Sequence, residues 1–231
     1  MANALVVIPT YNEIENIERI LRNIFSLQRD FHILVVDDNS PDNTGGKVKE
    51  LQTEFYERLF ILEREEKTGL GTAYIAGFKW ALKKEYDYIF EMDADFSHNP
   101  NDLMRLYNAC AKDNFDLSIG SRYVTGVNVV NWPMGRVLLS WGASKYVRLI
   151  TGMDIHDTTA GFVCYQRKVL ETLQMLQNAF LVLIWYKPCQ IHITPSTEPR
   201  HSLQACWVLR QVAKSSEAIL TNTTLEKHSL E

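Results

Sequence analysis

Short apolar runs alternate along the chain with segments whose apolar residues recur every three or four positions. Runs of this kind predict buried strands, and the three-to-four spacing predicts amphipathic helices. Strands are predicted at 4–8, 31–36, 59–63, 86–92 and 117–120, with helices at 14–24, 44–57, 72–84 and 100–113. The alternation of strands and helices predicts an α/β fold, with a mostly parallel sheet flanked by helices on both sides.

The pattern is weaker beyond the fifth strand. It predicts a helix at about 132–151, a strand within 158–165 and a helix at 167–177. On the first of these helices, Leu138, Leu139 and Trp141 could face either lipid or the core, and the core is the favoured interpretation. After about residue 188, only a weak helical pattern near 203–213 is evident.

Composition narrows the class of protein. The 231 residues suit a single domain, and the net charge of −4 argues against a nucleic-acid partner, which calls for basic clustering. No apolar stretch approaches the roughly 20 residues of a membrane-spanning helix, and the amino terminus lacks the pattern of a secretory signal. Four cysteines without metal-ligand spacing predict buried free thiols. We therefore expect a cytoplasmic protein that is at most peripheral to a membrane.

Carboxylates follow two of the predicted strands. Asp93 and Asp95 come directly after the fourth strand, and Asp37 and Asp38 end the second. In an open α/β sheet, ligands bind outside the carboxyl ends of the strands. Carboxylate oxygens suit Mg²⁺ or Mn²⁺, which usually bind through one or two carboxylates together with substrate phosphates. An isolated Asp-x-Asp is often only a solvated acidic loop, but its placement here favours a metal–diphosphate site. One aspartate could instead accept a hydrogen bond from a ribose hydroxyl or a base amide.

Other residues at strand ends offer further chemistry. Tyr11 could stack on a base or be an ordinary loop aromatic, and Arg122 could pair with phosphate oxygens or lie free on the surface. Gly69 and Gly71 precede a helix but match no phosphate-binding loop, so a tight turn is favoured over substrate approach. The sequence has no pattern typical of a serine or cysteine nucleophile.

Six motifs occur in a recognisable order. They are 7–13 (VIPTYNE), 35–42 (VVDDNSPD), 69–74 (GLGTAY), 92–100 (MDADFSHNP), 120–123 (GSRY) and 160–162 (AGF). Together they closely resemble the polyprenyl-phosphate (dolichol-phosphate) mannose synthases, which are inverting family-two glycosyltransferases with a GT-A fold. The resemblance covers residues 4 to about 173. It implies metal-dependent transfer of mannose from GDP-mannose to a polyprenyl phosphate, with Mg²⁺ or Mn²⁺ as cofactor.

The same resemblance implies roles at matching positions. The donor site would comprise Pro9, Tyr11, Glu13, Val36, Asp38, Asp93, Ala94 and Asp95, with Asp93 and Asp95 holding the metal. The acceptor phosphate would contact Arg122, Arg136 and Ser140. Asp95 and Arg122 would be the catalytic residues. A polyprenyl acceptor further implies peripheral membrane contact or a membrane partner protein.

The resemblance does not extend to the last part of the chain. We expect a glycosyltransferase domain at 1–173 and an atypical tail at 174–231. All 11 glycines lie in the first 161 residues, and no aspartate follows residue 161. The Gly-Phe-Gln-Ile-Glu strand and the later Arg and Lys loop of the family are missing from the sequence. A change of reading frame near residue 173 would explain all these features, and it predicts a catalytically crippled chain.

Alternative functions stay open on the sequence alone. A related enzyme could transfer another sugar, or use a saccharide acceptor. A nucleotide-sugar-binding protein with little turnover is the non-enzymatic alternative, because the Arg and Lys loop is absent. A nucleotidyltransferase is less favoured, since no basic glycine-rich loop follows the first strand.

Overall fold

The computed structural model describes residues 4–121, 135, 141–146, 149, 157 and 160–172, together with the backbone of 191–195. The described residues include seven strands: β1 (Ala4–Thr10), β2 (His32–Asp37), β3 (Leu59–Glu63), β4 (Tyr88–Glu91), β5 (Leu117–Ser121), β6 (Val163–Gln166) and β7 (Ile191–Pro195). The helices are α1 (Ile14–Phe25), α2 (Thr44–Leu51), α3 (Leu70–Lys83), α4 (Leu103–Ala111) and α5 (Arg167–Thr172). Residues 141–146 are also helical.

The strands form one sheet in the order β3-β2-β1-β4-β6-β5-β7. β1 pairs in parallel with both β2 and β4, whereas β6 runs antiparallel to β4 and β5. The prediction of a mostly parallel sheet flanked by helices is therefore confirmed. The strand order runs outward from β1 in both directions. A doubly wound sheet of this kind leaves a crevice beside β1, where ligands commonly bind.

Burial on both faces explains the continuous apolar runs. Ala4, Val6 and Ile8 of β1 belong to a core cluster with α1, α2 and α4, while Leu5 and Val7 belong to a cluster with α3 and α5. All five side chains are fully buried. Covering a parallel sheet with helices on both faces requires this composition, because no position along the strand faces water. The packing holds the strand ends in a fixed arrangement.

Several predicted boundaries were wrong. α2 ends at Leu51 rather than at residue 57, and the following residues form turns that include Glu57 with a positive φ of 67°. A left-handed residue interrupts the helical hydrogen-bond ladder, so the helix cannot continue through residue 57. In α1, Ile17, Leu21 and Ile24 are buried in the core, whereas Ile14 in the first turn is 37% exposed. The predicted helix at 100–113 begins with a 3₁₀ turn, Pro100–Asp102, and α4 ends at Ala111.

Beyond β5, the structure differs from the sequence predictions at two further places. The sequence pattern did not predict β7, which pairs in parallel with β5. The helical segment 141–146 lies within the predicted helix, but Trp141 is 45% exposed and does not belong to the core. Cys110 and Cys164 are buried free thiols, as predicted, whereas Cys189 and Cys206 lie outside the described residues. No helix in the described part of the chain is long and apolar enough to cross a membrane.

Candidate functional site

The carboxyl ends of three neighbouring strands meet at one edge of the sheet. In the register of the sheet, Pro9 is paired with Val36 and Val7 with Glu91. The loops that follow β1, β2 and β4 therefore leave the sheet side by side. These loops carry most of the residues predicted to bind the donor.

Hydrogen bonds lock the loop after β1 to the loop after β2. Asp42 accepts bonds from the backbone N–H of Ile14 and of Thr44, each at 3.0 Å. Thr44 in turn accepts a bond from the Glu13 N–H through its Oγ1, also at 3.0 Å. Burial opposes ionisation of Asp42, but the bonds from Thr44 and Ile14 outweigh it and lower the pKa of this carboxyl. The start of α1 is thus anchored by a side chain from the neighbouring loop.

The two aspartates that end β2 have different environments. Asp37 is occupied within the protein, because its carboxylate accepts bonds from Thr10 Oγ1 at 2.8 Å and from Ser40 Oγ at 2.6 Å. Asp38 is only 5% exposed, and its Oδ1 lies 3.1 Å from Nη1 of Arg64. Neither of these two atoms makes an aligned hydrogen bond, although both are buried. Burial raises the pKa of Asp38, and the charge of Arg64 opposes that shift. Asp38 is therefore the member of the pair with polar capacity left for a ligand.

The sequence analysis missed two cations that contact residues at these strand ends. Arg64 follows β3 and also donates from Nη2 to Thr72 Oγ1 at 2.8 Å. Lys67 Nζ lies 3.8 Å from the centroid of the Tyr11 ring, in a cation–π contact. The strand-end rule that selected the aspartates also applies to β3, so it would have identified Arg64. Tyr11 itself is 37% exposed and follows directly after β1.

The Asp-x-Asp segment follows β4, the strand paired with β1 on the side opposite β2. Asp93 is half-buried, Ala94 is buried and Asp95 is exposed. Asp95 Oδ1 accepts a bond from the Ser97 N–H at 2.9 Å. Phe96, between Asp95 and Ser97, has a positive φ of 58°, which is unusual for a bulky residue, and the backbone bends at 94–98. The Asp95 carboxylate is exposed to solvent at this bend.

Two tyrosines donate hydrogen bonds to carboxylates at the end of β4 and just after it. Tyr74 Oη donates to Asp93 Oδ1 at 2.9 Å, and Tyr165 Oη donates to Glu91 Oε1 at 3.0 Å. Burial raises the pKa of Glu91 to about 8, with a lowering contribution from Tyr165 and a raising contribution from Asp93. Burial and the nearby carboxylates raise the pKa of both tyrosines well above the usual value, so their hydroxyls keep their protons. Neither tyrosine was predicted as a site residue.

Glycine permits the closest approaches at this site. Gly69 is the N-cap of α3 and has a φ of +109°, a conformation that favours glycine, whereas Gly71 lies within the helix. A Cβ at Gly161 would lie 3.0 Å from Asp93 Oδ2, so the 160–162 motif packs directly against the Asp-x-Asp segment. The third, fourth and sixth motifs of the sequence therefore meet around Asp93.

The remaining predicted site residues are placed as follows. Pro9 and Val36 are buried within the sheet, and Glu13 is half-buried at the start of α1. Arg122, Arg136 and Ser140 lie outside the described residues. Among the residues that the structure describes, no three His, Cys, Asp or Glu side chains are grouped as metal ligands. Asp93 and Asp95 would leave several coordination positions for phosphate and water, which is the usual arrangement for Mg²⁺.

Comparison with known proteins identifies relatives of this chain. It is 48% identical over 171 residues to a polyprenol monophosphomannose synthase from Mycolicibacterium smegmatis, covering 74% of this chain and 64% of the relative. It is 43% identical over 171 residues to an undecaprenyl-phosphate mannosyltransferase from Micrococcus luteus, covering 74% of this chain and 69% of that protein. The chain thus spans about two thirds of the length of these relatives.

The fold has counterparts among solved structures. A mannosyltransferase from Pyrobaculum calidifontis, solved with GDP-Man and Mn²⁺, superimposes with a TM-score of 0.51 at 20% identity, covering 76% of this chain and 47% of that chain. At this identity the likeness shows the GT-A-like fold. The family model described as glycosyl transferase family 2 matches residues 5–174. The chain belongs to glycosyl transferase family 2.

Proposed function

We propose that this protein transfers mannose from GDP-mannose to a polyprenyl phosphate, with a divalent metal bound at Asp93 and Asp95. The observation that carries the proposal is the convergence of these two carboxylates with Asp38 and Tyr11 at one sheet edge. The 48% identity to a polyprenol monophosphomannose synthase supports the choice of sugar and acceptor.

The residues that follow β1 and β2 suit the nucleoside of the donor. Tyr11 offers an exposed ring face, and Asp38 offers a buried carboxylate oxygen without an aligned hydrogen bond. A base that stacks on Tyr11 could donate ring or amino N–H groups to Asp38, and Arg64 could donate to a carbonyl of the base. Pro9 and Val36 would contribute through the backbone, because the Val36 side chain is fully buried in the core. Asp38 Oδ1 and Arg64 Nη1 form an ion pair but make no aligned hydrogen bond, so a ligand that hydrogen-bonds to both buried atoms is favoured.

The donor set fits Mg²⁺ or Mn²⁺. Asp95 is exposed and Asp93 is half-buried, so both carboxylates are accessible to an ion that carries substrate oxygens with it. When bound, such an ion would neutralise the charge that develops on the diphosphate leaving group. The solved mannosyltransferase with GDP-Man and Mn²⁺ supports this choice of cofactor.

The acceptor would bind on the side of the helix that includes residues 141–146. Arg122, Arg136 and Ser140 are proposed to contact its phosphate. Trp141 is 45% exposed, Lys145 Nζ lies 3.9 Å from its ring centroid, and Leu149 is 83% exposed. An exposed aromatic, a cation and an aliphatic residue spaced four apart suit a membrane–water interface, which supports peripheral contact with the membrane.

The chemistry would be a single displacement at the anomeric carbon, with inversion to a β-linked product. The acceptor phosphate is largely dianionic near neutral pH, because its second pKa is about 6. It needs no strong general base, unlike a sugar hydroxyl. The tasks left to the residues of this chain are to align the acceptor, exclude water and balance the charge of the diphosphate.

Turnover of labelled GDP-mannose with a short-chain polyprenyl phosphate tests the proposal. Formation of a mannosylated lipid would support it. Transfer from another sugar nucleotide, or to a saccharide, would indicate a glycosyltransferase with a different donor or acceptor. Tight GDP-mannose binding without any transfer would favour a binding protein instead. We also propose that loss of the Arg and Lys loop makes turnover slow, since each lost charge-stabilising contact costs on the order of 10²- to 10³-fold.

Asp95 is tested separately by calorimetry. Asp95→Asn removes one proposed metal ligand from an exposed position, so the fold should survive while Mg²⁺-dependent GDP-mannose binding is lost. Asp113→Asn, at another exposed aspartate after α4, is the matched control and should bind as the unsubstituted chain does. Unchanged affinity of Asp95→Asn, with and without the metal, would refute the assignment.

A further inference from the structure

The hydroxyl of Tyr74 reaches one of the two carboxylates proposed to hold the metal. It donates a hydrogen bond to Asp93 Oδ1 at 2.9 Å. Tyr74 lies on α3, the helix that precedes β4 in the chain. The Tyr74 side chain has no exposed surface. Packing of the core does not by itself require this hydroxyl, because a phenylalanine would fill nearly the same volume without a polar atom. The hydroxyl therefore has a role in its contact with the partly accessible Asp93 carboxylate.

The ring of Tyr74 is held on several sides. It stacks on Phe78, with ring centroids 6.1 Å apart, and Phe78 makes an edge contact with Tyr165 at 5.7 Å. Val7 and Ile119 belong to the same buried cluster. Close-packed interiors leave little freedom for such a ring. The hydroxyl is therefore a fixed donor whose position is set by α3 and the sheet.

On its other side, the Asp93 carboxylate packs against the backbone of Gly161. A Cβ built at Gly161 would lie 3.0 Å from Asp93 Oδ2, closer than most side-chain contacts allow. Asp93 thus lies between a fixed hydroxyl from α3 and the bare backbone of the segment that leads into β6. Two elements far apart in the sequence together define where its carboxylate can lie.

We propose that Tyr74 is a positioning residue, which holds the Asp93 carboxylate ready for the metal and the donor diphosphate. The inference rests on the proposed function. Groups that orient metal-binding side chains typically change metal affinity by about 10- to 100-fold when removed. Tyr74 itself touches neither substrate nor metal, so its effect should appear in metal-dependent donor binding and leave the acceptor unaffected.

Tyr165 provides a matched control. Its ring is buried in the same cluster, and its hydroxyl donates to Glu91, the last residue of β4, at nearly the same distance. Tyr165→Phe therefore removes an equivalent buried hydrogen bond without touching Asp93. Both substitutions keep the ring, so both chains should fold and lose similar stability in urea unfolding.

The experiment measures Mn²⁺ binding by its electron paramagnetic resonance signal in the presence of GDP, and GDP binding by calorimetry with and without EDTA. Tyr74→Phe should weaken Mn²⁺ binding about tenfold or more, while metal-free GDP binding stays within about twofold. Tyr165→Phe should leave both values within about twofold of the unsubstituted chain. In the transfer assay, Tyr74→Phe should raise the KM for GDP-mannose and leave the KM for the acceptor unchanged.

A second variant keeps the test decisive if Tyr74→Phe fails to fold. Gly161→Ala presses a methyl group against Asp93 Oδ2 from the other side, so it should also weaken Mn²⁺ binding while sparing metal-free GDP binding. Unchanged Mn²⁺ affinity in Tyr74→Phe, equal losses in Tyr74→Phe and Tyr165→Phe, or unchanged Mn²⁺ affinity in Gly161→Ala would overturn this inference but not the proposed function. Absence of Mn²⁺-dependent GDP binding in the unsubstituted chain would overturn the proposed function as well.

Discussion

Removing the charge of Arg64 should lower the free energy of unfolding, because the buried carboxylate of Asp38 loses its ion-pair partner. Arg64→Met keeps much of the length and apolar character of the side chain but deletes its charge. Nη1 of Arg64 lies 3.1 Å from Asp38 Oδ1, and the two side chains are 15% and 7% exposed. At this separation the attraction is about 5 kcal/mol for an effective dielectric constant of about 20, before desolvation is subtracted.

The expected loss of stability follows from what remains after Arg64 is removed. Breaking a fully buried ion pair by deleting one partner costs about 3–5 kcal/mol, because the other charge is left without compensation. The residual exposure of both side chains reduces this, so we expect a loss of about 2–3 kcal/mol in the free energy of unfolding near neutral pH. With a urea m value of about 2 kcal/mol per M, the unfolding midpoint should fall by about 1 M or more.

The loss should depend on pH in a defined direction. Burial already raises the pKa of Asp38, and the Arg64 charge opposes that shift. Without Arg64 the folded-state pKa rises further above the unfolded value. A carboxyl with a raised folded-state pKa costs stability as the pH rises through that pKa, and the cost disappears when the group is protonated in both states. The difference from the unsubstituted chain should therefore be larger at about pH 7.5 than at about pH 5.

Urea unfolding followed by tryptophan fluorescence at these two pH values provides the measurement. Asp38→Asn in the Arg64→Met background is the control, because it removes the titrating group and should abolish the pH dependence of the difference. A difference below about 0.5 kcal/mol at the higher pH, or one that does not change with pH, would show that the two charges are not coupled.

Three further predictions concern other parts of the chain. Asp42→Ala removes the bonds to the Ile14 and Thr44 N–H groups and should cost about 1 kcal/mol of unfolding free energy. Because the pKa of Asp42 is lowered, its contribution should be present above the unfolded-state pKa of about 4 and fade as the pH falls, and an equal cost at all pH values in urea unfolding would contradict it. Arg136→Ala should raise the KM for the polyprenyl phosphate more than the Kd for GDP, and the reverse result would move Arg136 to the donor site. We also propose that a shifted reading frame after codon 173 encodes Gly-Phe-Gln-Ile-Glu and a later Arg and Lys loop, and coding DNA that encodes neither in the other two frames would exclude this explanation of the tail.

The sequence by itself determined most of the sheet and the edge at which the site lies. Central strands such as β1 are buried on both faces, so their apolar runs are visible without any tertiary information. The carboxylates at 93 and 95 were found because ligands bind at the carboxyl ends of parallel strands. Helix ends were less well determined: the end of α2 depends on the turns that follow it, and the apolar pattern of 44–57 did not show them.

The tertiary structure decided which polar groups at that edge are available. Asp37 and Asp38 are adjacent and chemically identical, yet Thr10 and Ser40 occupy one of them and Arg64 faces the other. Likewise, only the packing of α3 and β6 shows that Tyr74 and Gly161 meet at Asp93. The reason is physical: local patterns report whether a side chain faces water or the core, whereas the identity of its neighbour is set by strand register and helix packing between segments far apart in the chain.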